Sequence, residues 1–596
     1  MRLEKNWFYQ LCLSLAIVGL LYILIAGVSS IGDGQEYSYF LKGLLILGLF
    51  ALWLIVQFTA MIAARFKLAE RLDVNKKYVR IGEYVFVFII LAVALAVRIM
   101  VINKIPMQVE SDYKTYYEIA DLLKQGTLIK EGKGYCNYIA MFPHVMGYCY
   151  ILKTVFTWFG TSVVVGQYLN IFFSIATIVI VYRIGRALGG RIAGIIALLG
   201  TAFWPSQVLY ITMLSAEYVF TFLLYGSILL FIYLAKGSNE NISEAVIGMT
   251  LHVILGGIIA VAAAVRPMAI ILLVAIIICL VPQKMKTSAM PRNDIPLAIR
   301  FLEKGWQRCV LIIIPYLIVS SFITTNIEAT INKELPSAST SFGYNLLVGL
   351  NAESKGGWND EDAKLLYDSM DATGSATQAH IACRDLAFVR LTSYPQKIFN
   401  LMVEKYELLW GNDDYGSTWN IAFLQEQGEL TKARSDFLYT ARDDNNIIYL
   451  STVFFALIAL IYLMKKDGSY AYTLILVFLG TAGMHLFVES QNRYHYFVLQ
   501  VFIILAGLAI HFIFADGRKK VVELQKNKSD KEISLKTENE KTQIEKIVQE
   551  RLKKIRKEEM SNTFNMEEAI KNKHVIMTVS EAYHTGKDQD DKTKNL

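Results

Sequence analysis

The chain has 596 residues, of which 54% are apolar and only 19% charged, and its formal net charge is +7. This composition excludes an ordinary soluble globular protein and predicts an all-α polytopic membrane protein. The modest excess of basic residues is explained by cytoplasmic loops and gives no reason to expect nucleic-acid binding.

Apolar runs of about 20 residues predict membrane-spanning helices. Twelve such segments lie at 8–28, 39–63, 83–103, 163–183, 192–212, 215–235, 246–264, 268–282, 309–326, 446–465, 470–489 and 496–515. The first is long enough to remain in the membrane as an anchor, and no cleavage site followed by a soluble domain is evident after it.

Lysine and arginine residues in the connecting loops predict the sides of the membrane, because basic residues resist translocation. The loop between the second and third spans carries several of them and is predicted to be cytoplasmic, whereas the first loop carries none and is predicted to face outward. Both termini are then cytoplasmic, and the loop 104–162 faces outward. Within that loop, we predict that the apolar segment 142–160 lies in the membrane interface, since a further crossing would place Arg183, Arg186 and Arg191 outside.

This topology divides the chain into five regions. They are 1–82, two additional N-terminal transmembrane helices with a basic cytoplasmic loop; 83–326, a transmembrane core with the outer loop 104–162; 327–445, an inserted extracytoplasmic soluble domain; 446–515, the last three transmembrane helices; and 516–596, a charged cytoplasmic tail, partly helical or disordered. An apolar stripe at 544–555 predicts a helix within the tail.

The stretch SDYKTYYEIADLLKQG, residues 111–126, carries acidic and aromatic residues where the chain leaves the third span. Ser111 or Asp112 is suited to cap a helix that ends before Gly126. The other interpretation is that Asp112, held at the outer membrane surface, acts as general base on an acceptor hydroxyl, with Glu110 tuning it or sharing an acceptor or a cation. Both interpretations stay open at this point.

Ionisable residues near the outer ends of spans are a second signal, since each costs roughly 2.5–3.5 kcal/mol at the bilayer centre. Arg98, Glu217 and Arg266 are placed in this way. Singly, each is explained by snorkelling to the interface or by pairing with a neighbour.

Three further residues, His485, Glu489 and Arg493, recur every four positions, which predicts one shared helix face. The acidic and basic residues from distant parts of the chain thus all lie at one leaflet. Arginines at that depth suit the binding of a lipid-linked phosphate and its stabilisation as a leaving group.

The order of these motifs resembles a known family. The matching positions are Pro106, Ser111, Asp112, Tyr113, Tyr116, Ala120, Gly126, Phe142, Pro143, His144, Gly147, Tyr148, the turn 183–194, Glu217, Arg266, Pro267 and the segment 489–496. In order and sidedness they resemble the bacterial relatives of protein O-mannosyltransferases and of the aminoarabinose transferase of lipid A. These are integral-membrane glycosyltransferases of the type C fold, family 39-like, and the resemblance covers roughly residues 83–515.

The resemblance implies an activity and a location. The enzyme would take a sugar from a polyprenyl-phosphate donor in a bacterial plasma membrane and transfer it on the extracytoplasmic face to an envelope glycan, glycolipid or protein. The implied roles are general base for Asp112 with Glu110 nearby, donor-phosphate binding for Arg266, Arg493 and Arg98, and cavity or acceptor contacts for Tyr113, Tyr116, His144, Glu217 and Glu489. Some members of this fold need a divalent cation and others do not, so a metal stays open.

The chain also departs from the family pattern. It reads Glu-Ser-Asp where the family has adjacent acidic residues, two additional spans precede the core, and the outward domain is inserted before the last three spans. Two other functions therefore stay open. A transporter or lipid-linked glycan flippase suits twelve spans with both termini inside, although matching halves are not evident. An envelope polysaccharide polymerase or ligase would share the lipid-linked substrate.

Overall fold

The computed structural model describes residues 7–31, 38–66, 77–237, 242–282, 297–466 and 470–559. Every regular element in these ranges is a helix, so the predicted all-α class is confirmed. Parts of the first outward loop, of the basic loop after the second span, of the loop after residue 282 and of the tail beyond residue 559 lie outside the described residues.

The described helices fall into two halves of the chain. The first half contains α1 (Trp7–Ser30), α2 (Ser38–Arg65), α3 (Lys77–Lys104), α4 (Ser111–Gln125), α5 (Leu128–Glu131), α6 (Lys133–Met141), α7 (Val145–Phe159), α8 (Val163–Ala202), α9 (Pro205–Leu209), α10 (Glu217–Lys236) and α11 (Ile242–Val265). The second half contains α12 (Ala269–Leu280), α13 (Leu297–Leu302), α14 (Gly305–Ile331), α15 (Gly343–Gly349), α16 (Asp360–Thr373), α17 (Ala376–Ser393), α18 (Pro395–Trp410), α19 (Tyr415–Glu426), α20 (Lys432–Met464), α21 (Tyr472–His485) and α22 (Leu499–Glu559).

Nine of the described helices are long and apolar enough to cross a membrane, and α12 and α21 are shorter apolar helices. Each of the twelve predicted spans overlaps one of these eleven helices. The fourth span and the first half of the fifth both lie in α8, so two spans share one helix. Gly189 and Gly190 leave the helical conformation inside α8, and Gly190 has a φ of +70°, which glycine adopts without strain. The fifth span is interrupted again further on, since α8 ends at Ala202 and Pro205 starts the short α9.

One buried carboxylate holds the turn at this glycine pair. Glu83 on α3 accepts hydrogen bonds from the Tyr182 hydroxyl and from Arg191 Nε, each at 2.7 Å, and it also contacts Arg186 Nη1. A single carboxylate of another helix therefore binds two arginines of the predicted cytoplasmic turn. The same α8 packs against α3 and α10, so the turn is fixed within the bundle.

The two additional N-terminal helices are packed differently. α1 packs against α20 and α21, and Leu13, Ala16, Leu20 and Ile23 are fully buried at helical spacing. α2 leaves most of its apolar side chains exposed, as expected for a helix that lipid surrounds. α1 therefore belongs to the helical bundle, although its sequence marks it only as an addition.

The long loop after α3 folds into the helices α4 to α7. With 15 residues, α7 is shorter than the helices long enough to span, and it packs against α4 and α11. Gly147 permits the close approach to α11, because a Cβ at this position would lie 2.2 Å from the carbonyl oxygen of Ala264. The interfacial location of α7 stays a prediction.

The inserted segment is helical and lies against this loop. It comprises α15 to α19 together with the adjoining ends of α14 and α20. Arg390 Nη2 donates to the buried Asp362 at 2.7 Å and joins two of its helices. α17 packs against α6, and the Gln427 side chain after α19 accepts a hydrogen bond from the backbone of Gln108, just before α4.

The chain divides into two compact units, Met1–Arg518 and Lys519–Leu596, and the residues of the last helix, α22, are shared between them. In the described part of the second unit, nearly all side chains of the helix are exposed. The predicted apolar stripe at 544–555 lies on this part of the helix.

Candidate active site

The start of α4 places Asp112 at the centre of the site. The N-cap residue is Glu110, which has an extended backbone and no side-chain capping hydrogen bond, so neither Ser111 nor Asp112 has the capping position considered from the sequence. Ser111 has a φ of +51°, a conformation that residues other than glycine rarely adopt and that stores strain. Asp112 follows directly in the first turn, and its side chain is free to make a different contact.

That contact is an ion pair with Arg493. Arg493 Nη2 donates to Asp112 Oδ2 at 2.7 Å, and the exposed fractions of the two side chains are 6% and 37%. The guanidinium also donates to the Tyr113 hydroxyl and to Gln491 Oε1, both at 3.0 Å. Its central carbon lies 4.9 Å from the ring centroid of Trp419. The arginine is therefore fixed from several sides, while the carboxylate keeps an open edge.

The chain reaches Arg493 by a path that the sequence pattern did not predict. We expected His485, Glu489 and Arg493 on one helix face, and this was wrong. α21 ends at His485, and Arg493 lies in a separate 3₁₀ turn, Asn492–His495.

Contacts with the inserted segment explain this break. The backbone N–H groups of Glu489 and Ser490 donate to carbonyls of Asn345 and Gly356, both at 2.9 Å. The buried Lys405 Nζ donates to three further carbonyls, those of Gly349, Leu486 and Val488, at distances between 2.7 and 3.0 Å. These long-range hydrogen bonds replace the helical ones.

A second ion pair lies beside the first. Arg266 Nη2 donates to Glu217 Oε1 at 2.6 Å, so each of these two residues has its partner in a distant part of the chain. Glu217 begins α10, and Arg266 directly follows α11, where Pro267 prevents the helix from continuing regularly. The Arg266 side chain is 18% exposed, so it is largely buried but still reaches the surface.

The charges of these groups act on Asp112. Burial alone would raise the pKa of Asp112, but the Arg493 charge and its hydrogen bond, followed by the charge of Arg266, lower it below its usual value. Asp112 is therefore ionised at neutral pH. Burial, assisted by the charge of Arg266, lowers the pKa of His144 to about 3, so the imidazole is neutral at pH 7.

Glu489 is a second acidic side chain within electrostatic reach of Asp112. Burial raises its pKa, and the charge of Asp112 adds to this rise, while hydrogen bonds from Tyr494 and Gln491 oppose it. The carboxylate accepts these two bonds at 3.0 and 2.9 Å. Of the two acidic side chains, Asp112 is therefore the more readily ionised.

Tyrosines pack beside the ion pairs. The hydroxyls of Tyr113 and Tyr210 share a hydrogen bond of 2.6 Å, and both side chains are buried. The ring of Tyr116 packs edge-to-face on Tyr148, with the centroids 5.4 Å apart. The predicted cavity residues Tyr113 and Tyr116 thus lie with Asp112, and the structure adds Tyr210 to them.

Arg98 lies apart from this group. Its Nε donates to Ser174 Oγ at 2.9 Å, and its Nη1 donates to the carbonyls of Ala94 and Ala202 at 3.1 and 2.9 Å. Only 1% of the residue is exposed. These bonds attach α3 to the end of α8, and a role in phosphate binding stays a prediction for Arg98.

Sequence reasoning missed a buried polar cluster next to Arg493. Asp413 Oδ1 pairs with His495 Nε2 at 2.8 Å, and both side chains are fully buried. Asp413 Oδ2 also accepts hydrogen bonds from Trp204, Ser206 and Asn445. The cluster joins α9, α20 and the turn that carries Arg493, and the only sequence signal was an acidic pair, residues 413–414, within an aromatic stretch.

Within the described ranges, no three His, Cys, Asp or Glu side chains lie together as they would around a metal ion.

Comparison with known proteins gives a distant likeness in fold. No protein-family model and no curated protein matches the sequence. Among solved structures, the Archaeoglobus fulgidus oligosaccharyltransferase tethered with an acceptor peptide is similar over 73% of this chain and 49% of its own, with 14% identity and a TM-score of 0.38. Oligosaccharyltransferase AglB from the same organism, in complex with an inhibitory peptide and a dolichol-phosphate, has 13% identity over 71% of this chain and 50% of its own, with a TM-score of 0.36.

A third similar structure is ArnT from Cupriavidus metallidurans bound to undecaprenyl phosphate. It has 12% identity over 72% of this chain and 77% of its own, with a TM-score of 0.30. The chain spans about half the length of the archaeal oligosaccharyltransferases that it matches. At such identities and TM-scores, activity has to be inferred from the residues of the site.

Proposed function

We propose that the chain is a membrane glycosyltransferase that moves a sugar from a polyprenyl-phosphate donor to an acceptor on the extracytoplasmic face of a bacterial plasma membrane. The observation that carries this proposal is the pair of Asp112 and Arg493, with its open carboxylate edge and the second guanidinium of Arg266 close by. An ionised proton acceptor beside two arginines suits the transfer of a sugar away from a phosphate.

The proposed reaction is a single displacement at the anomeric carbon of the donor sugar. The acceptor hydroxyl oxygen attacks this carbon, its proton passes to Asp112, and the bond between the carbon and the phosphate oxygen breaks. The electron pair leaves with the polyprenyl phosphate, whose growing charge Arg493 and Arg266 stabilise. Inversion at the anomeric carbon follows from an attack opposite the leaving phosphate.

The ion pair of Asp112 and Arg493 suggests the order of events in this mechanism. A phosphate that binds Arg493 competes with Asp112 for the same guanidinium. As the charge of Arg493 is drawn to the phosphate, the pKa of Asp112 rises, and the carboxylate becomes a stronger base. Donor binding would thus activate the base at the moment when the acceptor is to be deprotonated.

The test is the Asp112→Asn variant in cells, with Asp121→Asn on the same helix as matched control. Asparagine keeps the size of the side chain and removes the charge. We expect loss of one surface-glycan modification and accumulation of a polyprenyl-phosphate sugar, with normal amounts of folded protein in the membrane. Full modification by Asp112→Asn would remove the base. If the polyprenyl-phosphate sugar instead accumulated on the cytoplasmic leaflet, the result would indicate a flippase.

A further inference from the structure

An open groove lies between the first large loop and the inserted segment. Its volume is about 310 Å³, within the range of about 300–1,000 Å³ that is typical of ligand pockets. Its lining consists of Thr115, Glu131, Gly132, Gly134, Tyr135, Tyr138 and Tyr367. All of these residues except Tyr367 come from α4, α5, α6 and the junction between α5 and α6, and Tyr367 comes from α16.

The groove adjoins Asp112. Thr115 follows Asp112 by three residues on α4, so the two side chains lie on neighbouring positions of one helix face. Burial and then the charge of Asp112 raise the pKa of both Tyr138 and Tyr367, which places these two tyrosines within electrostatic reach of the carboxylate. A molecule in the groove could therefore present a hydroxyl to the base.

The lining chemistry favours a sugar. Three tyrosine rings offer flat apolar faces with polar edges, and the carboxylate of Glu131 accepts hydrogen bonds from hydroxyl groups. Tyr135 is oriented by its hydroxyl, which contacts Glu118 Oε2. The backbone leaves further room, since a Cβ at Gly134 would meet no atom within 4 Å.

The same lining disfavours other occupants. As far as the structure describes it, the groove contains no leucine, isoleucine, valine or methionine that would bind a lipid tail, and no lysine or arginine that would bind a phosphate. The carboxylate of Glu131 would also repel an anionic segment. Sugar rings, with one apolar face and a rim of hydroxyls, match both the aromatic and the acidic groups.

We propose that this groove is the acceptor subsite and that the acceptor is a carbohydrate chain. This inference rests on the proposed function and names the class of its acceptor. The inserted segment then contributes to specificity through Tyr367, while the first loop supplies both the base and most of the groove.

A photo-crosslinking experiment on the full chain in intact cells tests this inference. Tyr367 is replaced by p-benzoylphenylalanine, and Tyr394, an exposed tyrosine elsewhere in the inserted segment, is replaced in the same way as control. Tyr367 is 43% exposed, so neither replacement disturbs the core. After irradiation, we expect an adduct at position 367 that is oxidised by periodate and resists proteases, and none at position 394. An adduct that proves to be a peptide or a lipid, equal labelling at both positions, or no adduct at position 367 would overturn the proposal.

A second variant gives a kinetic measure. With limiting acceptor, Tyr367→Ala should lower sugar transfer about tenfold or more and leave binding of undecaprenyl phosphate unchanged, because only acceptor contacts are lost. Unchanged transfer would overturn the proposal. The two inferences fail separately, since an active Asp112→Asn enzyme contradicts the proposed function, whereas a peptide adduct with an inactive Asp112→Asn enzyme contradicts only the acceptor class.

Discussion

Two acid–base pairs lie two residues apart on one short turn and differ in their burial. Arg493 pairs with Asp112, whose side chain is 37% exposed. His495 pairs with Asp413, and neither side chain has any exposed surface. The first pair has an open edge where a ligand can compete for the arginine, whereas the second is enclosed and saturated by hydrogen bonds. The buried pair fixes the turn, and the open pair is positioned by it.

Removing the carboxylate of the buried pair should have the largest effect. Asp413→Ala leaves His495, Trp204 and Asn445 without a common acceptor inside the protein. Breaking a buried pair in this way costs about 3–5 kcal/mol. We expect a large fall in the thermal unfolding temperature in detergent, whereas Asp443→Ala at an exposed pair should not change it. An unchanged unfolding temperature in Asp413→Ala would show that the cluster does not hold the turn.

The arginine of the open pair should affect turnover more than stability. Arg493→Lys keeps the charge but loses the planar set of N–H donors that contacts Asp112, Tyr113 and Gln491. Loss of a group that stabilises a transition state lowers kcat by about 10²–10³-fold, and we expect a fall of this size. Arg434→Lys, at a surface pair with Glu429, is the control. Turnover assays and unfolding measurements on the same samples separate the two effects. If Arg493→Lys lost stability and turnover in equal measure, the distinction between the two pairs would fail.

The sequence predicts features that depend on neighbouring residues, but not those that depend on residues distant in the chain. Apolar runs predicted the spans because hydropathy is a local property. Asp112, Arg266 and Arg493 could be selected as candidates because each is an ionisable residue next to an apolar run. The path to Arg493 was not predictable, since it depends on carbonyls bound by Lys405 and on residues of the inserted segment. Asp413 and His495 were missed for the same reason, because their partners are distant in the chain.

The pH dependence of stability and of kcat/KM should show the effect of the Asp112–Arg493 pair. The pKa of Asp112 is lowered in the folded protein, so the pair contributes stability above the unfolded pKa of about 3.9 and loses it as the pH falls through the folded pKa. The acid limb of kcat/KM should therefore lie below that of an ordinary aspartate.

Two variants at position 493 test the cause of this shift. Arg493→Gln removes the charge, so burial raises the pKa of Asp112 and the acid limb moves to higher pH. Arg493→Lys retains the charge and should retain the low acid limb. The same profile in both variants would show that the arginine charge does not set the pKa of Asp112.

A topological measurement with no expected effect on activity checks where the open pair lies. Lys130→Cys, on an exposed residue of the first large loop, should react with a membrane-impermeant maleimide added to intact cells. Glu523→Cys, in the predicted cytoplasmic part of α22, should react only after the cells are opened. The native cysteines within the described ranges are all buried, so background labelling should be low. The reverse pattern would place the site on the cytoplasmic side.

The central claim is that Asp112 is the base and that it shares Arg493 with the donor phosphate. Asp112→Asn in detergent or nanodiscs tests this directly when undecaprenyl-phosphate binding and sugar transfer are measured on the same sample. The account predicts binding at least as tight as in the native protein, because the competing carboxylate charge is gone, together with a transfer rate reduced by about 10²–10⁴-fold. Native transfer rates, or loss of phosphate binding in this variant, would contradict it.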